Sequence, residues 1–167
     1  EFEKEVWNRA LKQCKGSVEV WAKYLETLMN EGKSQLAREE LKRGFQSFDD
    51  MKSDDRWKLK ERFGICEFRN GNIEHGRTVF EDLIKNNENK AHQFDYWNIY
   101  IDMETKYGDV DHARNIYDRL ANTKLKPDRM RSTLKKWLNF ESTHGDDPQR
   151  KAHIKKIAVE YSARKID

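Results

Sequence analysis

Two prolines, two cysteines and eight glycines in 167 residues leave little to interrupt a helix. Proline costs about 3 kcal/mol in a helix interior, so its scarcity permits long helices almost everywhere. No run of about 18 apolar residues occurs, so no segment reads as a membrane-crossing helix. The two cysteines, Cys14 and Cys66, lie in helical patterns without Cys-x-x-Cys spacing. They read as free thiols of a reducing compartment, cytoplasm or nucleus. No secretory or transit segment opens the chain, which starts in the middle of a pattern at Glu1. An excised fragment of a longer protein is therefore expected. A glycine-rich phosphate loop, a nucleophile elbow and a paired-carboxylate signature are also missing, and no enzyme is expected.

What the chain has is charge and rings. Charged residues make up 38%, hydrophobic ones 36% and aromatics 11%. Disordered chains are poor in aromatics, so this composition fits thin layers of helices with wide exposed faces. The charge is uneven. Residues 1–121 hold 21 Lys and Arg against 24 Asp and Glu, whereas residues 122–167 hold 12 against 6. The net +6 of the second stretch points to an acidic partner there, RNA or an acidic protein segment.

Periodicity is the strongest signal. Gly32, Gly71, Gly108 and Gly145 follow one another at 39, 37 and 37 residues. Eight residues before them stand Tyr24, Phe63, Tyr100 and Trp137; four before stand Leu28, Glu67, Glu104 and Glu141. Five after stand Ala37, Gly76, Ala113 and Arg150, and six after stand Arg38, Arg77, Arg114 and Lys151. Leu41, Phe80, Tyr117 and Ile154 lie nine after. Each half of a unit spaces its apolar residues by three and four, the mark of an amphipathic helix. The glycine suits the left-handed position that ends a helix, as at Gly108. Ser34, Asn72, Asp109 and Asp147 then suit the cap of the next helix, Asp147 with Pro148 at the first helical position. The small residue after the turn lets the second helix approach the first, and the aromatics fill the space between successive hairpins.

The expected fold is all-α, a right-handed α-solenoid of antiparallel helix pairs, with about four units and a leading half-unit. The pattern predicts one domain over 1–167, with a leading helix at about 3–13 and units at about 17–48, 54–87, 93–122 and 127–165. Polar connectors fall near 48–54, 87–92 and 122–127.

Unit three reads Trp97-x-x-Tyr100-x-x-Met103-Glu104, then Gly108-Asp109, then Ala113-Arg114-x-Ile116-Tyr117-x-x-Leu120. This resembles the half-a-TPR (HAT) repeat, with the late Glu of the first helix and the Arg of the second as the discriminating pair. Leu28 in unit one, and Arg150 with Lys151 in unit four, depart from that pattern. The stretch Phe94–Glu104, and Leu125–Arg131 leading into Trp137–Glu141, are similar to the C-terminal repeats of the ribosomal RNA processing protein five (programmed cell death protein eleven) family. The resemblance implies a nuclear and nucleolar scaffold. It would act in pre-rRNA processing and ribosomal subunit assembly, with assembly proteins and pre-rRNA or snoRNP particles as partners. The alternative it leaves is a HAT scaffold of mRNA splicing or 3′-end processing, working mainly through protein contacts or dimerisation. A homodimer is the less favoured arrangement.

The candidate binding residues are basic. Lys124, Lys126, Arg129, Arg131, Lys135 and Lys136 surround the last first-helix, and Arg150, Lys151, Lys155, Lys156, Arg164 and Lys165 lie on the last second-helix. Such a set reads as a solvated face or as a phosphate-tracking surface without base readout. Trp97, Tyr100, Tyr117, Phe63 and Phe80, with the remaining column aromatics, read as inter-repeat packing rather than base-stacking platforms. Trp57 lies outside the columns and is the ring to test for exposure. Glu67 with Arg77, and Glu104 with Arg114, are expected to pair within a repeat and fix its hairpin. Asp49-Asp50 and Asp54-Asp55 read as helix caps and solvated loop acids. The histidines His75, His92, His112, His144 and His153 have no metal-ligand spacing, and no metal, cofactor or small-molecule ligand is expected.

Overall fold

Helix follows helix through the computed structural model, which describes residues 1–14, 16–47 and 53–164. They are α1 (Phe2–Gln13), α2 (Val18–Asn30), α3 (Ser34–Ser47), α4 (Ser53–Arg69), α5 (Ile73–Lys85), α6 (Gln93–Tyr107), α7 (Val110–Ala121), α8 (Pro127–Thr143) and α9 (Pro148–Arg164). A 3-10 turn over Asn87–His92 fills one of the polar connectors. No strand occurs among the described residues. The chain divides into two compact units, Glu1–Tyr107 and Gly108–Asp167.

The glycine turns are built by backbone geometry that favours glycine. Gly32, Gly71 and Gly145 have φ of 79°, 80° and 111°. In the first two turns the residue after glycine donates back to Leu28 or Glu67, at 2.9 Å each, while the glycine donates to Met29 or Phe68. This double closure satisfies the last helical carbonyls. Asp146 makes the equivalent bond to the Glu141 carbonyl at 2.8 Å. Gly108 departs from expectation, since it is not among the residues of positive φ. The Asp109 side chain caps α7 all the same, accepting from the Asp111 amide at 2.7 Å. Asp147 likewise accepts from the Gln149 amide at 2.9 Å, ahead of Pro148.

Two expected caps are not caps. Ser34 is already the first residue of α3. Asn72 occupies the cap position of α5 without a side-chain cap bond. Its amide donates instead to Ser34 Oγ at 3.0 Å and Glu67 Oε1 at 3.1 Å. A buried carboxylate needs donors more than a solvated helix end does, and it draws the amide away.

In the first unit α2 with α3, and α4 with α5, form hairpins around a core of Tyr24, Leu25, Met29, Leu59 and Phe63. Gly76 lets α5 approach α4, because a Cβ there would stand 2.6 Å from the Phe68 ring. Gly64 does the same from the other side, 2.8 Å from Val79, at a position the repeat columns did not mark. Phe68, fully buried, was also outside them. In the second unit α8 and α9 form the hairpin, and the core gathers Ile116, Leu120, Met130, Trp137 and Ile154. The column rings Tyr24, Phe63, Tyr100 and Trp137 are 5%, 4%, 0% and 2% exposed, so they pack and do not offer their faces to bases. Trp57 is buried too, with the Lys60 ammonium 5.6 Å from its ring centre.

Candidate functional site

The recurring acid–base pairs close between repeats, not within them. Arg38 donates to both oxygens of Glu67, at 2.9 and 3.0 Å. Arg77 pairs with Glu104 in the same two-pronged way, its Nη2 at 3.1 Å from Oε2. Arg114 Nε lies 2.9 and 3.0 Å from the two oxygens of Glu141. The partner of each Arg is thus the Glu of the following unit, which corrects the expected pairing of Glu67 with Arg77 and Glu104 with Arg114. The reason is direction. Each Arg is held outward by a polar residue three positions earlier, Gln35, Glu74 or Asp111. Its fork then meets the next first-helix and not its own.

The three carboxylates are at most 1% exposed. A buried carboxylate needs a full set of donors, and a planar guanidinium supplies two at once. Hydrogen bonding to Glu104 holds the Arg77 guanidinium well above its ordinary value. The same residues also close the turns, since the carbonyls of Glu67 and Glu141 accept the bonds described above. One position therefore couples the turn of its own hairpin to the preceding repeat.

A second tie lies beside the first. Phe80 stacks on Tyr100, with ring centres 5.5 Å apart and planes 9° apart. Tyr117 stacks on Trp137 at 5.8 Å and 2°. Both join the ring nine after one glycine to the ring eight before the next. The corresponding residues one unit earlier are Leu41 and Phe63, without a ring pair.

Beside these ties the structure opens two grooves at equivalent positions of the repeat. In the first unit α3, α4 and α5 enclose about 350 Å³. Its floor is apolar: Leu41, Phe45, Phe63 and Val79. Arg38, Lys42, Lys60 and His75 stand around it, with Glu67. In the second unit α7, α8 and α9 enclose about 610 Å³. There Asp118 replaces Lys42, Trp137 replaces Phe63, Gln149 replaces His75 and His153 replaces Val79. Asp111 and Asp147 add two more carboxylates, and His153 Nε2 lies 3.2 Å from Asp118 Oδ1. The same backbone frame therefore presents an apolar, basic-rimmed groove in one unit and a polar, acid-rich groove in the other.

The basic set is spread over α8, α9 and the segment before α8. Lys124, Lys126, Arg129, Arg131, Lys135, Arg150, Lys155, Lys156 and Arg164 are exposed, while Lys136 and Lys151 are half-buried. Lys165 lies outside the described residues. Part of the charge is locally neutralised: Arg131 is 3.5 Å from Asp128, Arg150 is 3.9 Å from Asp147, and Lys151 pairs with Asp146. At about 100° per residue, Arg150, Lys155 and Lys156 point to different sides of α9, so the cations surround the helix more than they line one stripe.

The groove residues Lys42, Lys60, Phe45 and Val79 were missed by the sequence reading. The signal was present ten residues after each glycine, where Lys42, Glu81, Asp118 and Lys155 differ in sign. Of the acidic pairs, Asp49-Asp50 lies outside the described residues, and Asp54 and Asp55 fall in the first turn of α4. Among the described residues no group of three or more His, Cys, Asp or Glu is placed to hold a metal ion. No helix there is long and apolar enough to cross a membrane. Both thiols are free, Cys14 exposed and Cys66 buried, and burial pushes the Cys66 thiol up to about 11.

Comparison with known proteins agrees with this geometry. A family model described as the pre-mRNA-splicing factor Syf1/CRNKL1 C-terminal HAT repeat matches residues 1–164. The rRNA biogenesis protein rrp5 of Schizosaccharomyces pombe is 35% identical over 151 residues, which cover 90% of this chain and 8% of that protein. The mouse and human RRP5 homologues are 28% and 29% identical over 157 residues, 94% of this chain and 8% of each relative. The chain thus spans about a twelfth of the length of these relatives. With helical hairpins, an Arg-to-Glu tie from each repeat to the next, and a match that runs from residue 1 to residue 164, this chain belongs to the HAT-repeat family, an α-solenoid fold.

Proposed function

We propose that this chain is a non-catalytic interaction scaffold of pre-rRNA processing and ribosomal subunit assembly, working in the nucleolus. It binds assembly proteins through its grooves, and the basic α8–α9 end contributes contacts to pre-rRNA. The observation that carries the proposal is the use of the buried polar and aromatic residues. Glu67, Glu104 and Glu141 are spent on holding repeats together, as are the stacked rings, so what remains for partners is groove and surface. The similarity to rRNA biogenesis proteins over nine-tenths of the chain supports the ribosomal setting.

The test is crosslinking of the purified chain in nuclear extract, with protein and RNA adducts identified together. Adducts to ribosome-assembly proteins or pre-rRNA are expected, and their absence would overturn the proposal. A second reading, a scaffold of the splicing machinery, is favoured by the name of the matching family model. It predicts adducts to spliceosomal proteins in the same experiment. If the basic end contacts RNA, affinity falls steeply with salt, because each neutralised phosphate releases counterions. Charge reversal at Lys135, Lys155 and Lys156 together then abolishes RNA binding, measured by filter retention. Sedimentation at rising concentration checks for a homodimer, and a constant monomer mass is expected.

A further inference from the structure

We infer that the groove between α3, α4 and α5 docks an acidic amphipathic peptide of a protein partner, its apolar side chains on Leu41, Phe45, Phe63 and Val79 and its carboxylates toward Lys42 and Lys60. The inference rests on the scaffold reading and deepens it by naming where a partner binds and with what chemistry.

The floor consists of two rings and two aliphatic side chains, the kind of apolar surface that takes the anchors of a helical peptide spaced i, i+3, i+4 and i+7. Buried Leu41 and Phe63 lie at its base, and half-buried Phe45 and Val79 form its upper wall. The rim supplies the complementary charge. Of the groove-lining residues Lys42 and Lys60 carry ammonium groups, and Glu67 is the one carboxylate. Both oxygens of Glu67 are already engaged by Arg38, and one also by Asn72, so it offers little repulsion to an incoming acid. Lys42 is exposed at the edge. Lys60 is largely buried beside Trp57, paired with Asp82, and burial pushes its ammonium down. A carboxylate arriving at the mouth would favour its charged form.

The second unit supplies a built-in contrast. At the matching positions Asp118 stands for Lys42, Leu134 for Lys60 and His153 for Val79, with Asp111 and Asp147 nearby. An acidic peptide would meet Asp118 there in place of Lys42, and one ring, Trp137, in place of four apolar side chains, so the first groove is the better fit of the two.

The probe is a fluorescein-labelled helical peptide with leucine and phenylalanine at i, i+3, i+4 and i+7 and glutamate on the flanking positions. Its binding to the intact chain is followed by anisotropy, and its site by amide shifts. The glutamate peptide is expected to bind about tenfold tighter than the same peptide with lysine flanks, because like charges across an interface are costly. Lys42→Glu, at an exposed position that leaves the helical signal intact, should weaken binding by about the same factor, and Lys42→Arg should restore it. Lys85→Glu, the same charge change on an exposed residue of α5 away from the groove, should leave affinity unchanged. Equal binding of the two peptides, indifference to Lys42→Glu, or shifts confined to α7–α9 would each overturn the inference. So would displacement of the peptide from the groove by oligouridylate, which would make the site a polyanion track. Retention of the intact chain on pre-ribosomal particles is measured separately. A chain that stays on particles yet ignores the peptide loses the groove assignment while keeping the scaffold role.

Discussion

The first groove and the second share one frame and differ in almost everything that faces outward. In both, an Arg of one repeat grips a buried Glu of the next, Arg38 with Glu67 and Arg114 with Glu141. Around that constant tie the first groove carries Lys42, His75 and Val79, and the second carries Asp118, Gln149 and His153. The lesson is a division of labour. Residues that are desolvated are fixed by packing and hydrogen bonding, while residues one position further round the same helix are free to set charge and polarity. Lys42 and Asp118 follow Leu41 and Tyr117 directly, and they give the two grooves opposite charge at the same position.

The largest expected contrast is chemical reactivity. Cys66 lies on α4 one turn from Phe63 of the first groove's floor, while the second groove has no thiol among its lining residues. A thiol held at about 11, against an ordinary value near 8.5, exposes on the order of a hundredfold less thiolate at pH 8. Iodoacetamide should therefore label Cys14 rapidly and Cys66 only as the first unit opens, read by mass spectrometry under rising urea. The same raised value works against the fold at high pH. Above the ordinary thiol value the unfolded chain loses its proton while the folded chain keeps it, so the first unit's stability falls as pH rises toward 11.

Next in size is the tie itself. Glu67→Ala and Glu141→Ala should each cost about 3 kcal/mol in urea unfolding, because each leaves a largely buried guanidinium with only its exposed partner, Gln35 or Asp111. Glu67→Ala should cost the more of the two, since Asn72 loses an acceptor as well. Replacing both partners, Arg114→Met with Glu141→Leu, should recover most of the loss. A small cost in one unit and a large one in the other would break the equivalence of the two frames.

A smaller contrast concerns the residue five after each glycine. Gly76→Ala forces a methyl group against the buried Phe68 ring and should destabilise by about 1–2 kcal/mol, although alanine favours the helix itself. Arg150, the equivalent residue, is exposed, and Arg150→Ala should stay within about 0.5 kcal/mol. Smallest is the surface pair of the second groove. Asp118 and His153 side chains are 46% and 53% exposed, so Asp118→Ala should change stability by no more than about 0.5 kcal/mol in the same measurement.

Most of the fold could be read along the chain. The helical architecture was legible because apolar spacing and glycine turns are local signals. The pairing of Glu with Arg was legible as a recurrence but not as a partner assignment, since a 27-residue step and a 10-residue step fit the same columns equally well. The burial of Trp57 was open for a related reason: a ring outside the repeat columns can still be covered by neighbouring packing, and only the fold shows it. The basic end was visible as composition, whereas its distribution around α9 depends on helical phase.

The amino-acid order alone determined the all-helical class, the repeat length and the burial of the column rings, because each follows from short-range spacing and from the need to cover apolar rings. Tertiary structure decided which Glu each Arg would hold, where Asn72 would donate, and which outward residues would meet around a common hollow. Those outcomes depend on the direction of side chains across gaps between helices, and a guanidinium takes whichever carboxylate lies within reach of its fork.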